Sequence, residues 1–309
     1  MRLLPENSNN MADIARSVGS AQQTSERVRL TLKHDMAAEE TVIEAGRADG
    51  QYWRDLWRYR ELFYFLAWRD LLIRYKQTVF GVAWAVVRPL LSTAILTFAF
   101  SRIAGLSSGD VPYALFVFAA QVPWQFFANA LNDSSTSLIG NSQLITKIYF
   151  PRIIIPGSSL LRAVVDLAIT VALLSALMVW DALVPSWHVI FLPLFMLLAL
   201  ATALGLGLLT SALTVKYRDF GFITGFATQF GVYVSPVGFD SRILPQEWRH
   251  VYALNPLTGV IDGFRWSLFG GSQPLHLDEL AISAGVAVLL LFVGLRHFRR
   301  IQKGFADVI

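Results

Sequence analysis

From residue 82 onward the chain alternates long apolar stretches with short polar connections, the pattern of a series of membrane-crossing helices. A spanning helix needs roughly 20 mostly apolar residues. The stretches at 82–103, 112–132, 154–180, 188–215, 219–238 and 279–298 meet that need and predict six spans. The third and fourth exceed it, so they are expected to tilt or to project beyond the bilayer. Ahead of them, residues 51–75 carry Trp53, Leu56, Trp57, Tyr64, Ala67 and Leu71 at three- and four-residue steps. Arg54, Asp55, Arg58 and Glu61 occupy the other side, and the stripe blurs at Phe65 and Trp68. Aromatic rings and arginines in that arrangement suit an amphipathic helix lying in the headgroup layer, where one end of each side chain stays wet.

Residues 243–272 are too apolar for an ordinary loop, yet Asn255-Pro256 divides them into pieces too short to cross a hydrocarbon core of about 30 Å. The residue before a proline resists the α conformation, so one helix should end there and a second begin at Pro256. Two short re-entrant helices between spans five and six, dipping in from the outer side, satisfy both facts. Irregular backbone survives at membrane depth only when protein or water shields it. The hairpin therefore reads either as a lid over a helix interface or as packing beside the exit of a path.

Composition supports this all-α integral membrane class: 54% of residues are hydrophobic, 16% are charged and the mean hydropathy is +0.49. A net charge of +4 would fit a nucleic-acid partner. The basic residues instead fall where the positive-inside rule puts them, and no nucleic acid is expected. Lys147 and Arg152 lie between spans two and three, Lys216 and Arg218 between four and five, and Arg296, Arg299, Arg300 and Lys303 after span six. Residues 181–187 carry no Lys or Arg, as an outer loop should. Both termini are then cytoplasmic. The first fifty residues are polar, mixed in charge and aperiodic, which predicts a flexible cytoplasmic tail. The expected organisation is a tail over 1–50, an interface helix over 51–80 and a six-span domain over 81–309.

Candidate chemistry is sparse. There is no cysteine, and the five histidines are scattered. Neither a His-Glu-x-x-His pair, a Gly-x-Ser-x-Gly elbow nor a phosphate-cradling Gly-x-x-x-x-Gly-Lys loop is present. Metal binding, hydrolytic chemistry and nucleotide hydrolysis by this chain are therefore not expected. Within span three, Arg162 and Asp166 lie four apart and can neutralise each other or pair with a neighbouring helix or subunit. An ion pair is favoured over a proton relay, which needs a chain of such groups. Aromatic density is high: Phe116, Phe118, Trp124, Phe126 and Phe127 in span two, and Phe222, Phe226, Phe230 and Tyr233 in span five. Such rings usually pack or form interfacial belts, but they also offer sugars flat faces to stack on. Trp124, Phe127, Phe230 and Tyr233 are expected to face a substrate path, because helix-loosening Pro123, Gly225 and Gly231 accompany them.

Four places resemble the membrane-spanning permeases of ABC transporters that export polysaccharides. Arg69-Asp70, Arg74-Tyr75-Lys76-Gln77-Thr78 and the run from Gly81 through Trp84 to Arg88-Pro89-Leu90 resemble that family's entry from interface helix to first span. Residues 141–156, with Leu144-Ile145, Lys147 and Phe150-Pro151-Arg152, resemble its first cytoplasmic loop. Lys216-Tyr217-Arg218-Asp219 resembles the second, and Leu254-Asn255-Pro256 its outer re-entrant break. The tail, closing on Phe305-Ala306-Asp307-Val308-Ile309, is similar to the family's ending, although Gln302 stands where many members carry glutamate. The resemblance covers about residues 51–309.

What the resemblance implies is a homodimer that binds two copies of a separate ATPase subunit, in a bacterial inner membrane. The implied cargo is a lipid-linked polysaccharide, O-antigen first, with capsule and teichoic acid as sister substrates. ATP and magnesium would belong to the partner, so no cofactor is expected in this chain. Lys147, Tyr149, Phe150, Arg152, Lys216, Arg218 and Asp219 become candidates for coupling to the ATPase or for a cytoplasmic gate. A polytopic glycosyl- or acyltransferase would need clustered catalytic acids or histidines. A proton-driven carrier would need an intramembrane relay or an internal repeat.

Overall fold

A computed structural model describes residues 54, 56–76, 81–148, 150–270 and 273–305. The expected tail over 1–50, Tyr149 and residues 306–309 lie outside the described residues. Among the described residues all regular structure is helical. In chain order the helices are α1 (Arg60–Lys76), α2 (Gly81–Thr97, continued by a π-helical turn Phe98–Ile103), α3 (Tyr113–Gly140), α4 (Ser142–Lys147) and α5 (Ile154–Trp180). They continue with α6 (Leu192–Lys216), α7 (Asp219–Val234), α8 (Gln246–Tyr252), α9 (Pro256–Phe269) and α10 (Leu277–Ile301).

Among the described residues five stretches are long and apolar enough to cross a membrane: Ala83–Ile103, Tyr113–Gly140, Ile154–Trp180, Trp187–Lys216 and Leu277–Ile301. The fifth expected span, 219–238, is shorter as a helix. It stops at Val234 because Ser235 precedes Pro236 and adopts an extended conformation (φ −87°, ψ 156°). Its 16 residues rise only about 24 Å at 1.5 Å each. The break at Asn255-Pro256 separates α8 from α9. The Asn255 side chain caps α9 by accepting from Leu257 N at 3.1 Å, and Pro256 opens the first turn where its missing N–H costs nothing.

α3 is the hub, packed against α2, α5, α6, α7 and α9. Its Phe116, Val117, Phe118, Ala119 and Ala120 are all fully buried in the main core with Ala199, Ala203, Val260 and Ile261. α2, α5 and α6 keep one face in this core, α10 packs along α6, and the outward faces stay apolar and exposed, as in Leu194 and Leu197 of α6 or Val288, Leu289 and Phe292 of α10. Between apolar faces in lipid, close backbone approach and van der Waals contact hold helices together. α6 and α10 show it at Gly205 and Gly294. A β-carbon on Gly205 would lie 2.6 Å from the Leu290 carbonyl carbon, and one on Gly294 would overlap Gly205 O.

A second core joins Leu66 of α1, Leu138 of α3, Ile145 of α4, Ile153–Ile155, Leu208 and Ala212 of α6, and Phe298 and Phe305 near the C-terminus. The end of the molecule that carries it is termed basal here, and the end that carries α8 and α9 distal. On α1 the buried face is Leu66 and Ala67, whereas Tyr64, Phe65 and Trp68, like Trp57 ahead of the helix, are exposed. The expected stripe had placed Trp57 and Tyr64 with Ala67. The Leu66–Ala67 face packs on the body beside α5.

Candidate functional site: a polar groove beside an aromatic helix

At the basal end the two connections expected to meet a partner are built differently. α4 leaves Lys147 and Ile148 exposed. Phe150, a candidate for coupling or for a cytoplasmic gate, is 4% exposed and sits in the basal core. A phenylalanine beside Pro151 at the entry to α5 finds an apolar cavity under its own helices and fills it. Arg152 donates to the backbone carbonyl of Gln302, and its guanidinium lies 5.9 Å over the Phe305 ring. Phe305 in turn packs edge-on against Phe298, centroids 5.6 Å apart. Arg69 of α1 donates to Asn141 Oδ1 at 2.6 Å while holding Asp70 at 2.7 Å. The α6–α7 connection exposes Lys216, Tyr217, Arg218 and Asp219, with the Lys216 ammonium 5.2 Å over the Tyr217 ring.

At mid-depth the four expected path residues divide into two pairs. Phe230 and Tyr233 are 49% and 57% exposed on α7, on one face with Phe222 and Phe226; Phe226 and Phe230 stack with centroids 4.2 Å apart. Trp124 and Phe127 are 5% and 6% exposed, and their rings meet at 5.6 Å beneath that helix. They do not reach the surface of the protomer. The reason is Gly231, where a β-carbon would stand 2.7 Å from Trp124 Cη2: the glycine lets the indole slide under α7. Aromatic density on α3 thus supports the aromatic face of α7.

The intramembrane charges both turn to α3. Arg162 Nε lies 3.5 Å from Asp133 Oδ2, and Asp166 Oδ2 accepts from Asn129 Nδ2 at 3.1 Å. Of the two arrangements open to Arg162 and Asp166, these contacts are the ones to a neighbouring helix. Asn132 Nδ2 donates to Thr228 Oγ1 of α7 at 2.9 Å, and Gln121 Nε2 to Ser92 Oγ of α2 at 2.7 Å. Side-chain hydrogen bonds between helices are the polar counterpart of close packing in lipid.

At the distal end the irregular strip after α7 is fastened from several sides. Arg265 of α9, 1% exposed, donates to the carbonyls of Val237 (2.9 Å), Phe239 (3.1 Å) and Phe116 (3.3 Å), with its guanidinium carbon 3.5 Å from the Phe116 ring centroid. Tyr113 donates to Gly238 O at 2.6 Å, Tyr252 to Val234 O at 2.7 Å and Asn255 to Ser235 Oγ at 2.9 Å. Buried carbonyls that no helix satisfies need such donors. Arg242 holds Asp240 through Nε at 2.9 Å. Burial pushes the Asp240 carboxyl up, but the hydrogen bonds and charge of Arg242 outweigh it and hold the group below the usual carboxylate range. Asn255, read from sequence as part of a break with Pro256, also anchors this strip. Arg265 escaped the sequence reading. A lone arginine between Phe264 and Trp266 in an apolar run was its available signal. Among the described residues no cluster of three metal-ligating side chains occurs.

Residues 61–269 match the family model of the ABC-2 type transporter. The chain is similar to the O-antigen export system permease protein RfbA of Klebsiella pneumoniae, 27% identical over 242 residues, covering 78% of this chain and 92% of that protein. The protein of the same description from Myxococcus xanthus is 24% identical over 258 residues, 83% of this chain and 98% of the relative. The capsule polysaccharide export inner-membrane protein CtrC of Neisseria meningitidis serogroup A is 26% identical over 246 residues, 77% and 90% of the two chains.

Proposed function

We propose, on the premise that the chain belongs to the ABC-2 type transporter family, that it is the permease subunit of an ATP-driven polysaccharide exporter, with a lipid-linked O-antigen as cargo. The observation that carries this reading is the extent of the likeness: O-antigen export permeases align over about four fifths of this chain and nearly all of their own length. α7, with the strip that follows it, serves as a sixth span, and α8 and α9 form a re-entrant pair at the outer surface. The basal end is cytoplasmic, consistent with Lys147, Lys216, Arg218, Arg296 and Arg299 clustering there. α1 then lies at the headgroup layer with its exposed Trp57, Tyr64 and Trp68 toward lipid.

The chain forms a homodimer whose path runs along the exposed rings of α7, Phe222, Phe226, Phe230 and Tyr233. Two ATPase subunits dock on the basal connections, contacting Lys147 and Ile148 of one and Lys216 to Asp219 of the other. ATP and magnesium bind to those subunits. A push on α4 is carried through Phe150 and Arg152 to Phe305 and α10. The experiment is twofold. Purification from native membranes in mild detergent should recover an ATPase subunit in equal numbers, with nucleotide hydrolysis confined to it. Deleting the gene for this chain should leave the cell surface without polymer while lipid-linked glycan accumulates inside. Intact surface polysaccharide in the deletion strain overturns the reading.

A further inference from the structure

α9 and α10 approach closely at Gly259 and Ser283, where a β-carbon on the glycine would stand 2.6 Å from Ser283 Cβ and the serine hydroxyl accepts from Gly259 N at 3.2 Å. One turn away on each helix the contact gives way to a small cleft lined by Asp262 of α9 and Glu279 of α10, with Thr258 and the N-cap residue of α10, His276. The cleft has room for about one water molecule. Glu279 is 9% exposed, and among the described residues its carboxylate has neither a hydrogen-bond donor nor an ion pair. Asp262 accepts from the Ser241 hydroxyl but forms no ion pair either. The cations of this end are engaged elsewhere. Arg265, one turn along α9, directs its three nitrogens to the carbonyls of Phe116, Phe239 and Val237, and Arg242 directs Nε and Nη2 to Asp240 and Gln273. Thr258 donates to Tyr252 O at 3.3 Å. A buried acceptor without a donor is costly, and the cleft brings a second carboxyl to its side.

We propose that Asp262 is a proton-binding site, and that its acid form, donating to the Glu279 carboxylate directly or through one water, latches α9 onto α10. The inference goes beyond the exporter reading and rests on it only for the side that supplies the proton, the outer one. A carboxylic acid facing a carboxylate makes a charge-assisted hydrogen bond, the stronger kind. Without the proton, two like charges face each other across a cleft largely closed to solvent. Burial pushes the Asp262 carboxyl up to about 6; Arg265 and the Ser241 hydrogen bond pull against it, and the charges of Asp240 and Glu279 add to it. An unfolded carboxyl titrates near 3.9. Between the two values the folded chain holds the extra proton, so the contribution of the latch is full below about pH 4 and is lost as pH rises through about 6. The remaining titratable groups about α9 are Tyr113, Tyr252 and three histidines. The tyrosines donate to Gly238 O and Val234 O. His276 lines the cleft, His250 lies 3.1 Å from Asp278, and the His188 ring stands 4.4 Å from that of Trp266.

The test is the melting temperature of the purified full chain in detergent between pH 5 and pH 8. The parent should lose several degrees as pH rises through that window. Asp262→Asn keeps an acceptor for Ser241 and offers Glu279 an amide donor at every pH, so its melting should stay flat there. Glu279→Gln removes the facing charge, so its step should be smaller and displaced to lower pH. His188→Gln, His250→Gln and His276→Gln should each retain the step. A parent without a step, a step that survives in Asp262→Asn, or one that any of the three histidine variants removes overturns the proposal, the last by assigning the proton to that ring. Infrared difference spectra of the parent read the proton directly and need no variant to fold. The carbonyl band of a protonated carboxylic acid should be present at pH 5 and gone at pH 8, and Asp262→Asn should lack it. A parent without that band also overturns the proposal. None of these measurements involves export, so their failure leaves the exporter reading standing, and intact surface polysaccharide in the deletion strain leaves the latch standing.

Discussion

The distal and basal ends of this protein solve the same problem, holding helices where the backbone turns irregular, with opposite kinds of contact. Distally, the strip from Val234 to Phe239 is held by directional donors: Arg265 to the carbonyls of Val237 and Phe239, and Tyr113, Tyr252 and Asn255 to one acceptor each. Basally, Leu66, Leu138, Phe150, Phe298 and Phe305 share an apolar core, flanked by the hydrogen bonds of Arg69 to Asn141 and of Arg152 to the Gln302 carbonyl. Hydrogen bonds weaken steeply as they bend, whereas apolar side chains tolerate small shifts at nearly constant contact. The basal end is therefore compliant, able to follow a partner that moves. The distal end holds its register until the set of bonds breaks together.

The largest effect should come from removing the distal bolt. Arg265→Met leaves buried carbonyls without donors, and loss of one member of a buried charged network typically costs on the order of 3–5 kcal/mol. Arg265→Lys should recover little of this, because an ammonium cannot serve three carbonyls and stack on Phe116 at once. Thermal unfolding in detergent and abundance in the membrane read the loss. A methionine variant as stable as the parent would show that the strip is held by its other donors.

Trp124→Leu should come next, at about 2 kcal/mol, because it leaves a cavity beneath Gly231. Phe230→Leu should change stability by less than about 0.5 kcal/mol, as exposed substitutions do, while lowering surface polysaccharide. This pair separates the supporting rings from the exposed ones. Normal export with Phe230→Leu at full abundance would return the α7 rings to an interfacial belt.

Several of these elements were legible in the sequence, and the reason differs with each. Residues 154–180 and 188–215 coincide almost exactly in extent with Ile154–Trp180 and Trp187–Lys216, because run length and hydropathy are local properties. The break at Asn255-Pro256 was equally readable, since both the cap and the proline act within three residues. α3 was foreseen only to residue 132 but runs to Gly140. Asn132, Asp133 and the serines and threonine that follow interrupt hydropathy without interrupting a helix. The fate of Phe150, the burial of Trp124 and the carbonyls around Arg265 depend on partners more than 80 residues away in several cases, which no local period encodes.

At the basal end, conservative exchange should be tolerated. Phe305→Leu and Phe150→Leu keep an apolar side chain in a shape-tolerant core, so each should cost about 1 kcal/mol. A loss as large as that of Arg265→Met would mean that the basal core is as exacting as the distal bolts, and the contrast between the ends would fall.

The smallest expected effect concerns Asp240, and its dependence on pH identifies it. The folded carboxyl titrates below its ordinary value of about 3.9, so its contribution is fully present above that value and disappears as pH falls through the folded one. Its partner Arg242 is more than a third exposed, and solvent screening keeps the contribution to about 0.5 kcal/mol. Asp240→Asn should therefore melt slightly below the parent from pH 7 down to about pH 5, with the difference closing below about pH 4. Parent and Asp240→Asn melting at the same temperature throughout that range would show that the pair with Arg242 adds nothing to the stability of the distal end.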